Sequence, residues 1–270
     1  MSRIAEFRKL HESGCFVIPN PWDVGSARYL AHLGFRALAT TSGGFAFSRG
    51  LPDSAATVPR QMMLNHFTEM VAATNLPVNA DYQNGYADDP EGVAESVRLC
   101  IQTGVAGLSI EDNSGNAEAP LYELSLAVER VEAARVAIDR SGTGVVLTGR
   151  AECYLTGHPG PLKEAIRRLV AYAEAGADVL YAPGVRDRDE IAEIVRAVHP
   201  KPVNVVMAAN TGLRVPDLAG LGVRRVSVGS SLARTAWTAF MKASKAIAEE
   251  GSFGGFDENV SFKELDSLFR

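Results

Sequence analysis

The 270-residue chain is poor in cysteine, in long apolar runs and in a clear excess of either charge. Its three cysteines are widely spaced and odd in number, and no CxxC pair occurs, so a disulfide framework is not indicated. No apolar run approaches the ~20 residues of a membrane span. The N-terminal segment MSRIAEFRKLHESG is a charged amphipathic helix without the apolar core of a signal peptide. We therefore expect a cytoplasmic protein without a membrane partner.

The charge pattern also excludes a large class of partners. The net charge of −5 is spread along the chain, and no basic stripe is present, so nucleic acid is not expected to bind. Hydrophobic residues make up 46% of the sequence, which is enough for a large core. This length and composition are typical of one (β/α) barrel.

A helix–glycine–strand unit recurs along the sequence. It is seen in AHLGFRALATTS, IQTGVAGLSIED, AEAGADVLYAPG and AGLGVRRVSVGS, around Gly34, Gly104, Gly176 and Gly222. Each glycine stands where a left-handed residue would end a helix. Repetition of this unit predicts βα repeats around a parallel sheet.

Eight strands separated by helices favour an α/β fold of the TIM (β/α)8 type, with an open doubly wound sheet as the second choice. The predicted strands are Phe16–Asn20, Ala37–Ser42, Val78–Asp81, Gly107–Asp112, Val145–Arg150, Val179–Ala182, Val203–Met207 and Arg225–Gly229. The clearest predicted helices are Trp22–Leu33, Pro59–Ala73, Pro90–Gln102, Leu124–Arg140, Pro161–Ala175, Arg188–Val198 and Ser231–Glu250.

No linker divides the chain, so we expect one domain over residues 1–270. Its final segment, 251–270, contains Phe253, Phe256, Phe262, Leu265 and Phe269. That apolar content is too high for a merely disordered end, so the segment should dock on its own barrel or on a neighbour.

The polar residues at the predicted strand ends are the candidates for a site, because barrel sites lie at the carboxyl ends of the strands. Carboxylates cluster after strands 3, 4 and 5, with Arg150 among them. Oxygen ligands from neighbouring strand ends suit Mg²⁺, which keeps several waters and takes few carboxylates directly. The Ser42-Gly43-Gly44 turn after strand 2 should expose backbone N–H groups to a carboxylate or an oxyanion.

The order of several motifs gives a more specific indication. TTSGG, LPDS, NADYQNGYADDPE, GLSIEDN, TGRAE and, near the end, VRRVSVGSSLART together resemble the isocitrate lyase/phosphoenolpyruvate mutase superfamily over nearly the whole chain. The resemblance implies a modified barrel whose last helix is exchanged between subunits of a dimer or tetramer. It also implies Mg²⁺, or alternatively Mn²⁺, and a small 2-oxo or 2-hydroxy carboxylate substrate that reacts through a pyruvate-like enolate.

The resemblance assigns a metal role to four positions. Asp81 matches the principal metal aspartate, and Glu111 matches an acid that contacts the ion through water. Asp53, on the loop after strand 2, matches an acidic residue near the metal shell. Gln83 stands where the family commonly has a second acid, and its amide adds no charge, so the metal affinity should be lower.

The resemblance also assigns substrate and catalytic roles. Ser42, Gly43 and Gly44 would hold the carboxylate and carbonyl end of the substrate, and Arg150 would neutralise its charge. The predicted catalytic residues are thus Arg150, Asp53 and Glu111.

The loop after strand 4 departs from the family pattern. It reads NSGNAEAPLYE and has neither the KKCGH-like segment of the lyases nor the lysine-containing segment of the mutases. We expect the distal group of the substrate to contact Asn113–Tyr122. His158 and Cys153 are weaker candidates, since a lone His in a Gly-Pro loop is more often at the surface and a lone Cys is more often a buried filler.

The leading prediction is a Mg²⁺-dependent carbon–carbon lyase. Oxaloacetate decarboxylation, hydrolysis or rearrangement of a phosphonate, and a carboxylate-binding barrel without turnover remain alternatives. The sequence leaves open the substrate, the choice between C–C and P–C chemistry, the general acid or base, and whether the assembly is a dimer or a tetramer.

Overall fold

A computed structural model describes residues 1–270 and has eight parallel strands in one sheet. The strands are β1 (Phe16–Ile18), β2 (Leu38–Ala39), β3 (Val78–Asp81), β4 (Gly107–Glu111), β5 (Val146–Arg150), β6 (Val179–Tyr181), β7 (Val203–Val206) and β8 (Arg225–Ser227). Strand β1 pairs with β8, and each strand from β8 down to β3 pairs with the strand that precedes it in the sequence, so β1 and β2 are the two edges. A hydrogen bond from Ala39 N–H to the Pro19 carbonyl, 3.1 Å long, links the two remaining edges. The predicted (β/α)8 barrel is therefore confirmed as a nearly closed barrel.

Eleven α-helices and one short 3-10 turn surround or follow the sheet. They are α1 (Arg3–Leu10), α2 (Val24–His32), α3 (Ser42–Ser48), α4 (Arg60–Ala73), α5 (Pro90–Gln102), α6 (Leu124–Ser141), α7 (Pro161–Glu174), α8 (Arg188–Val198), α9 (Val215–Gly220), α10 (Ser231–Glu250), the 3-10 turn (Gly254–Phe256) and α11 (Phe262–Leu268). No helix has the length and hydrophobicity that a bilayer crossing requires.

Left-handed glycines end the predicted helix–strand units. Gly34, Gly104, Gly176 and Gly222 have φ values of 83°, 86°, 99° and 90°, which confirms the sequence interpretation. A side chain at any of these positions would be strained in that conformation.

Helix α1 closes the end of the barrel opposite the strand carboxyl ends. Phe7 and Leu10 are buried and pack with Phe16, Val146 and Val179 in one apolar cluster. The open end of the barrel is thus the end at which the predicted site residues lie.

Two local predictions were wrong. Strand β2 stops at Ala39, and Ser42-Gly43-Gly44 begins a helix, α3, rather than forming an isolated turn. Thr41 caps that helix by accepting a hydrogen bond from Gly44 N–H. The capping hydroxyl favours helical backbone immediately after the strand.

Helix α10 is unusual because only Ala233 is buried along its 20 residues. It contacts α3 and the 3-10 turn. Trp237, Phe240 and Met241 are exposed, at 37%, 60% and 62%. The final helix, α11, contacts α2, so part of the C-terminal tail packs on its own barrel.

Candidate active site

Arg150 is the centre of the candidate site. Strand pairing places it directly beside Glu111, and Asp81 ends the next strand along. Arg150 Nη1 donates to Asp81 Oδ1 at 2.7 Å, and Nη2 lies 2.9 Å from Glu111 Oε2. The fold therefore brings three of the predicted site residues together at the carboxyl ends of β3, β4 and β5.

Glu152 is a further member of this cluster, which the sequence placed among the strand-end carboxylates but to which it gave no role. Its Oε1 accepts from Arg150 Nε and is also 2.9 Å from Nη2, and the side chain is almost fully buried. Its position two residues after Arg150 was the available signal. Asp112 fixes the Glu152 backbone, because Asp112 Oδ1 accepts from Glu152 N–H at 2.8 Å.

A buried network on α7 holds Asp112 in turn. Tyr172 OH donates to Asp112 Oδ2 at 2.5 Å, and Arg168 Nη1 donates to the same oxygen at 3.0 Å. A buried carboxylate is stable only with such partners. This network therefore connects α7 to the ends of β4 and β5 and, through Glu152, to Arg150.

The electrostatics of the cluster are unbalanced toward negative charge. Burial raises the pKa of Glu111 well above its ordinary value, and the negative charges of Glu152 and Asp81 add to that shift. Burial also raises the pKa of Asp53, with the charge of Asp81 as the next cause. Burial lowers the pKa of Arg150, but Glu111, Glu152 and Asp81 outweigh that effect and raise it well above its ordinary value. One arginine faces more carboxylate charge than it can neutralise, which is a setting that favours a bound cation.

The start of α3 forms the opposite wall. Ser42 N–H donates to Asp81 Oδ2 at 2.9 Å. A Cβ at Gly43 would lie 2.8 Å from Asp53 Oδ2, and one at Gly44 would lie 2.6 Å from the Thr41 side chain. Only glycine allows this close approach of backbone to neighbouring groups. Asp81 is therefore held between a guanidinium and a helix N-terminus.

Gln83 contacts Asp53 rather than facing away from the site. Its Nε2 donates to Asp53 Oδ1 at 3.2 Å, and its backbone is left-handed with φ of 47°. A glutamate here would place a second carboxylate against Asp53. The amide instead connects the loop between α3 and α4 to the end of β3.

Two adjoining cavities of about 260 and 250 Å³ open at this rim and share Ser42, Asp53, Arg150 and Leu155. The first also contains Asp81, Gly43 and Tyr181 and continues into the barrel interior. The second contains Gln83, Glu111, Glu152, Asn113 and Gly115. All the predicted site residues except Gly44 line one of the two cavities, whereas His158 and Cys153 line neither.

The donor set suits a hydrated Mg²⁺ better than a dry metal cage. No three His, Cys, Asp or Glu side chains converge as a metal-holding group. Mg²⁺ retains several waters and needs one or two direct carboxylates. Asp81, with Glu111, Asp53 and Gln83 around adjoining cavity space, provides oxygen donors for such an ion and its waters.

The loop after β4 is a small hairpin attached to the barrel. Asn113 and Leu121 form an antiparallel bridge, and Tyr122 OH donates to Asp88 at 2.5 Å. The Arg130 guanidinium lies 4.0 Å from the centre of the Tyr122 ring. The hairpin presents Asn113 and Gly115 to the second cavity and supplies neither Cys, His nor Lys.

Comparison with known proteins identifies the family. The phosphoenolpyruvate phosphomutase family model matches residues 7–248. A provisionally assigned lyase/mutase structure from Burkholderia cenocepacia J2315 is 48% identical, with a TM-score of 0.94 over 99% of this chain and 95% of that chain. The oxaloacetate decarboxylase of Pseudomonas entomophila strain L48 is 32% identical over 83% of this chain and 77% of its own length. Oxaloacetate acetylhydrolase, solved with its product oxalate, is 26% identical, with a TM-score of 0.87 over 99% of this chain and 94% of that chain.

The family match covers far more than half of the chain, and the matched region includes every residue of the Arg150 cluster. The resemblance seen in the sequence motifs is thereby confirmed. This chain belongs to the phosphoenolpyruvate phosphomutase family and is an enzyme of the isocitrate lyase/phosphoenolpyruvate mutase superfamily.

Proposed function

We propose that this chain is a Mg²⁺-dependent carbon–carbon lyase that acts on a small 2-oxo or 2-hydroxy carboxylate. Members of the superfamily are Mg²⁺-dependent lyases or mutases. The observation that supports the proposal most directly is Arg150, whose guanidinium is surrounded by Asp81, Glu111 and Glu152 beside a cavity.

Each group in the cluster has a task in this proposal. Asp81 would be the direct metal ligand, and Glu111, Asp53 and Gln83 would accept hydrogen bonds from metal-bound waters. Mg²⁺ (Mn²⁺ as a substitute) would act as a Lewis acid toward the substrate oxygens. The Gly43 N–H and Ser42 at the start of α3 would bind the substrate carboxylate, as helix N-termini do for anions.

Arg150 would stabilise the transition state electrostatically. As a bond adjacent to the carbonyl breaks, negative charge develops on the enolate oxygen. The guanidinium is already fixed by Glu152 and Glu111, so it would need little reorganisation during the reaction. The surrounding carboxylates keep it protonated at any physiological pH.

Oxaloacetate decarboxylation is the second candidate. The hairpin after β4 supplies no acidic thiol, imidazole or ammonium group, which disfavours a reaction that needs a proton from this loop. The similarity to the Pseudomonas entomophila decarboxylase points in the same direction. Hydrolysis or rearrangement of a phosphonate is the remaining alternative.

Calorimetric titration with oxalate, a planar mimic of the pyruvate enolate, tests the site. We expect oxalate to bind in the presence of Mg²⁺ and to lose most of its affinity after exhaustive treatment with EDTA. Asp81→Asn should abolish the Mg²⁺ dependence, whereas Asp89→Asn should not, because Asp89 caps α5 and asparagine caps equally well. Oxalate binding of equal strength without metal would contradict the proposal.

Turnover assays separate the candidate reactions. Purified protein with Mg²⁺ would be tested on 2-hydroxy dicarboxylates, oxaloacetate and phosphonopyruvate, with pyruvate, glyoxylate, phosphate and phosphoenolpyruvate formation as the readouts. We expect cleavage of a 2-hydroxy dicarboxylate and no phosphonate turnover, whereas activity on oxaloacetate alone would favour the decarboxylase. Activity confined to phosphonopyruvate would replace the lyase proposal with the phosphonate one.

A further inference from the structure

The barrel interior below the candidate site is polar. Barrels of this type are usually filled by layers of bulky branched side chains. Here Asn79, Ser109, Thr148, Asn204 and Arg225 are all buried within the strands. Arg225 is the only residue of this group that carries a full charge, and a buried charge requires partners that stabilise it.

Arg225 has no carboxylate partner. Its Nε donates to Asn204 Oδ1 at 2.9 Å, Nη2 donates to Thr148 Oγ1 at 3.0 Å, and Nη1 lies 3.5 Å from His11 Nε2. All three partners are neutral acceptors or, for His11, a ring that burial and Arg225 keep neutral by lowering its pKa to about 3. The side chain is 3% exposed and belongs to none of the ion pairs in the molecule.

The guanidinium nevertheless stays protonated at neutral pH. Burial lowers the pKa of Arg225 to about 10. Tyr181 opposes this shift, and the positive charge of Arg150 adds to it. A buried, unpaired charge is strongly unfavourable unless a counter-ion or a ligand reaches it. Neutral hydrogen-bond acceptors offset only part of that penalty.

The cavity provides the route by which such an ion could arrive. Arg225 lines the 260 Å³ cavity that also contains Ser42, Asp81 and Arg150. Along the strand register, Asp81 lies opposite Ser109, and Ser109 lies opposite Thr148, which contacts Arg225. Asp81 and Thr148 are thus two strand spacings apart, or about 10 Å. Arg225 lines the same cavity as the candidate metal position, but its own partners, Asn204, Thr148 and His11, are not among the predicted metal residues.

A second polar atom in the same cavity also lacks a partner. Asn79 Oδ1 is buried and accepts no hydrogen bond, although its amide nitrogen donates to the Ala80 carbonyl. The guanidinium lacks an anion, and Asn79 Oδ1 lacks a donor. A water that hydrates a bound anion could supply that donor.

We propose that Arg225 forms an anion subsite inside the barrel, separate from the candidate metal position, which takes one small anionic group. Its occupant is either a free halide or the far carboxylate of a bound dicarboxylate, since both present a compact negative charge to a guanidinium. The carboxylate case would place the distal group of the substrate at Arg225 instead of at Asn113–Tyr122, where the sequence predicts it. The halide case does not depend on the proposed function, whereas the carboxylate case rests on it.

The first measurement is thermal unfolding in chloride or bromide against the bulky sulfonate MES, which is not a carboxylate, at equal ionic strength. A ligand that binds only the native state raises its stability, so at a hundredfold excess over Kd the midpoint should rise by roughly 5–10 °C. Arg225→Gln should remove this halide effect. Arg224→Gln is the matched control, because Arg224 is the neighbouring residue and only contacts the Gly14 carbonyl at the surface.

Asn204→Asp provides a variant that keeps the arginine in place. Its carboxylate would stand 2.9 Å from Arg225 Nε and act as an internal counter-ion. We expect this variant to be stable in MES and insensitive to halide. A halide effect that persists in Asn204→Asp, or that is equal in Arg225→Gln and the wild type, would overturn a halide occupant at Arg225.

Competition distinguishes the two sources. Bromide would be located by anomalous diffraction in crystals that also contain Mg²⁺ with either oxalate or the longer dicarboxylate succinate. Bromide beside Arg225 that survives oxalate but is displaced by succinate identifies the carboxylate source, and bromide that survives both identifies a free halide. If no halide affects the wild type and Arg225→Gln leaves succinate affinity unchanged, the subsite does not exist, whatever the outcome of the oxalate and Mg²⁺ titration.

Discussion

At the scale of single residues, the site is defined by how its charges are paired. Asp81 is expensive to bury at the end of a core strand, and the structure supplies two partners for it: Arg150 and the Ser42 N–H. Glu111 and Glu152 complete the shell of Arg150. The excess of carboxylate supports the proposal that this cluster binds a divalent cation.

Removal of the central arginine should nearly abolish ligand binding. Arg150→Ala takes away the cation that would pair with a desolvated substrate carboxylate, a loss that typically costs roughly 2–5 kcal/mol. We expect oxalate affinity in Mg²⁺ to fall by at least about 30-fold, as measured by calorimetry. Arg98→Ala is the control, since Arg98 pairs with Glu95 on the exposed face of α5. Equal loss in both variants would show that the effect is not specific to the site.

Gln83 stands where the sequence resemblance implies a second acidic residue in the metal shell. Gln83→Glu should tighten Mg²⁺ binding, on the order of tenfold, because it adds a carboxylate beside the ion. Without metal, the same change sets two carboxylates against each other and should loosen the loop that carries Asp53. Calorimetry measures the Mg²⁺ affinity, and hydrogen exchange of residues 51–58 measures the loosening of the loop.

Gln61→Glu tests whether added charge alone is responsible. Gln61 lies on the exposed surface of α4 and contacts Asn65. The Gln61→Glu substitution should change neither the Mg²⁺ affinity nor hydrogen exchange in residues 51–58. Unchanged Mg²⁺ affinity in Gln83→Glu would remove Gln83 from the metal shell.

At the scale of secondary-structure elements, helix α7 holds the ends of β4 and β5 in place through hydrogen bonds to Asp112. Tyr172 and Arg168 project from it onto Asp112, which lies at the end of β4 and holds the Glu152 backbone. The helix is thus joined to two strand ends by buried hydrogen bonds rather than by apolar packing alone. Such fully satisfied buried networks fix geometry more strictly than apolar contacts do.

Loss of the tyrosine hydroxyl should therefore be felt in both stability and binding. Tyr172→Phe leaves a buried carboxylate oxygen with one donor fewer, which should lower the free energy of unfolding by about 1–3 kcal/mol. Urea denaturation measures that loss, and oxalate calorimetry should show weaker binding because Glu152 positions Arg150. Tyr29→Phe, on the exposed face of α2, should alter neither quantity.

At the scale of the whole molecule, the main unexplained surface is α10. Its 20 residues bury only Ala233, and its apolar side chains remain exposed with Phe253 and Phe256 close behind in sequence. An apolar surface of this kind marks an interaction site. Together with the family resemblance it supports a homo-oligomer, a dimer or tetramer, in which this helix packs on a second copy.

A charge on that face should dissociate the assembly. Phe240 is 60% exposed on the isolated chain, so Phe240→Glu should cost little in a monomer but much in a buried interface. Light scattering at micromolar concentration should give an oligomer for the wild type and a smaller species for the variant. Val136→Glu, at a 44% exposed position on α6, is the control. A monomeric wild type would refute the helix exchange.

The sequence by itself determined the repeating units of this protein. Hydrophobic strands, helix-ending glycines and their order predicted the (β/α)8 barrel, because these signals are local and the barrel is the arrangement that buries eight such strands in succession. Motif order likewise predicted the family, and strand-end position predicted that Asp81, Glu111 and Arg150 would meet.

Only the tertiary structure decided what those residues contact. Gln83 contacts Asp53, and the Ser42 N–H at the start of α3 contacts Asp81; both contacts join segments far apart in sequence. The contact between Glu152 and Arg150 depends instead on the local backbone turn after β5. The same holds for Arg225, whose place inside the barrel depends on strand register across β5, β7 and β8. Register and barrel closure are collective properties of all eight strands, so no single segment of the sequence encodes them.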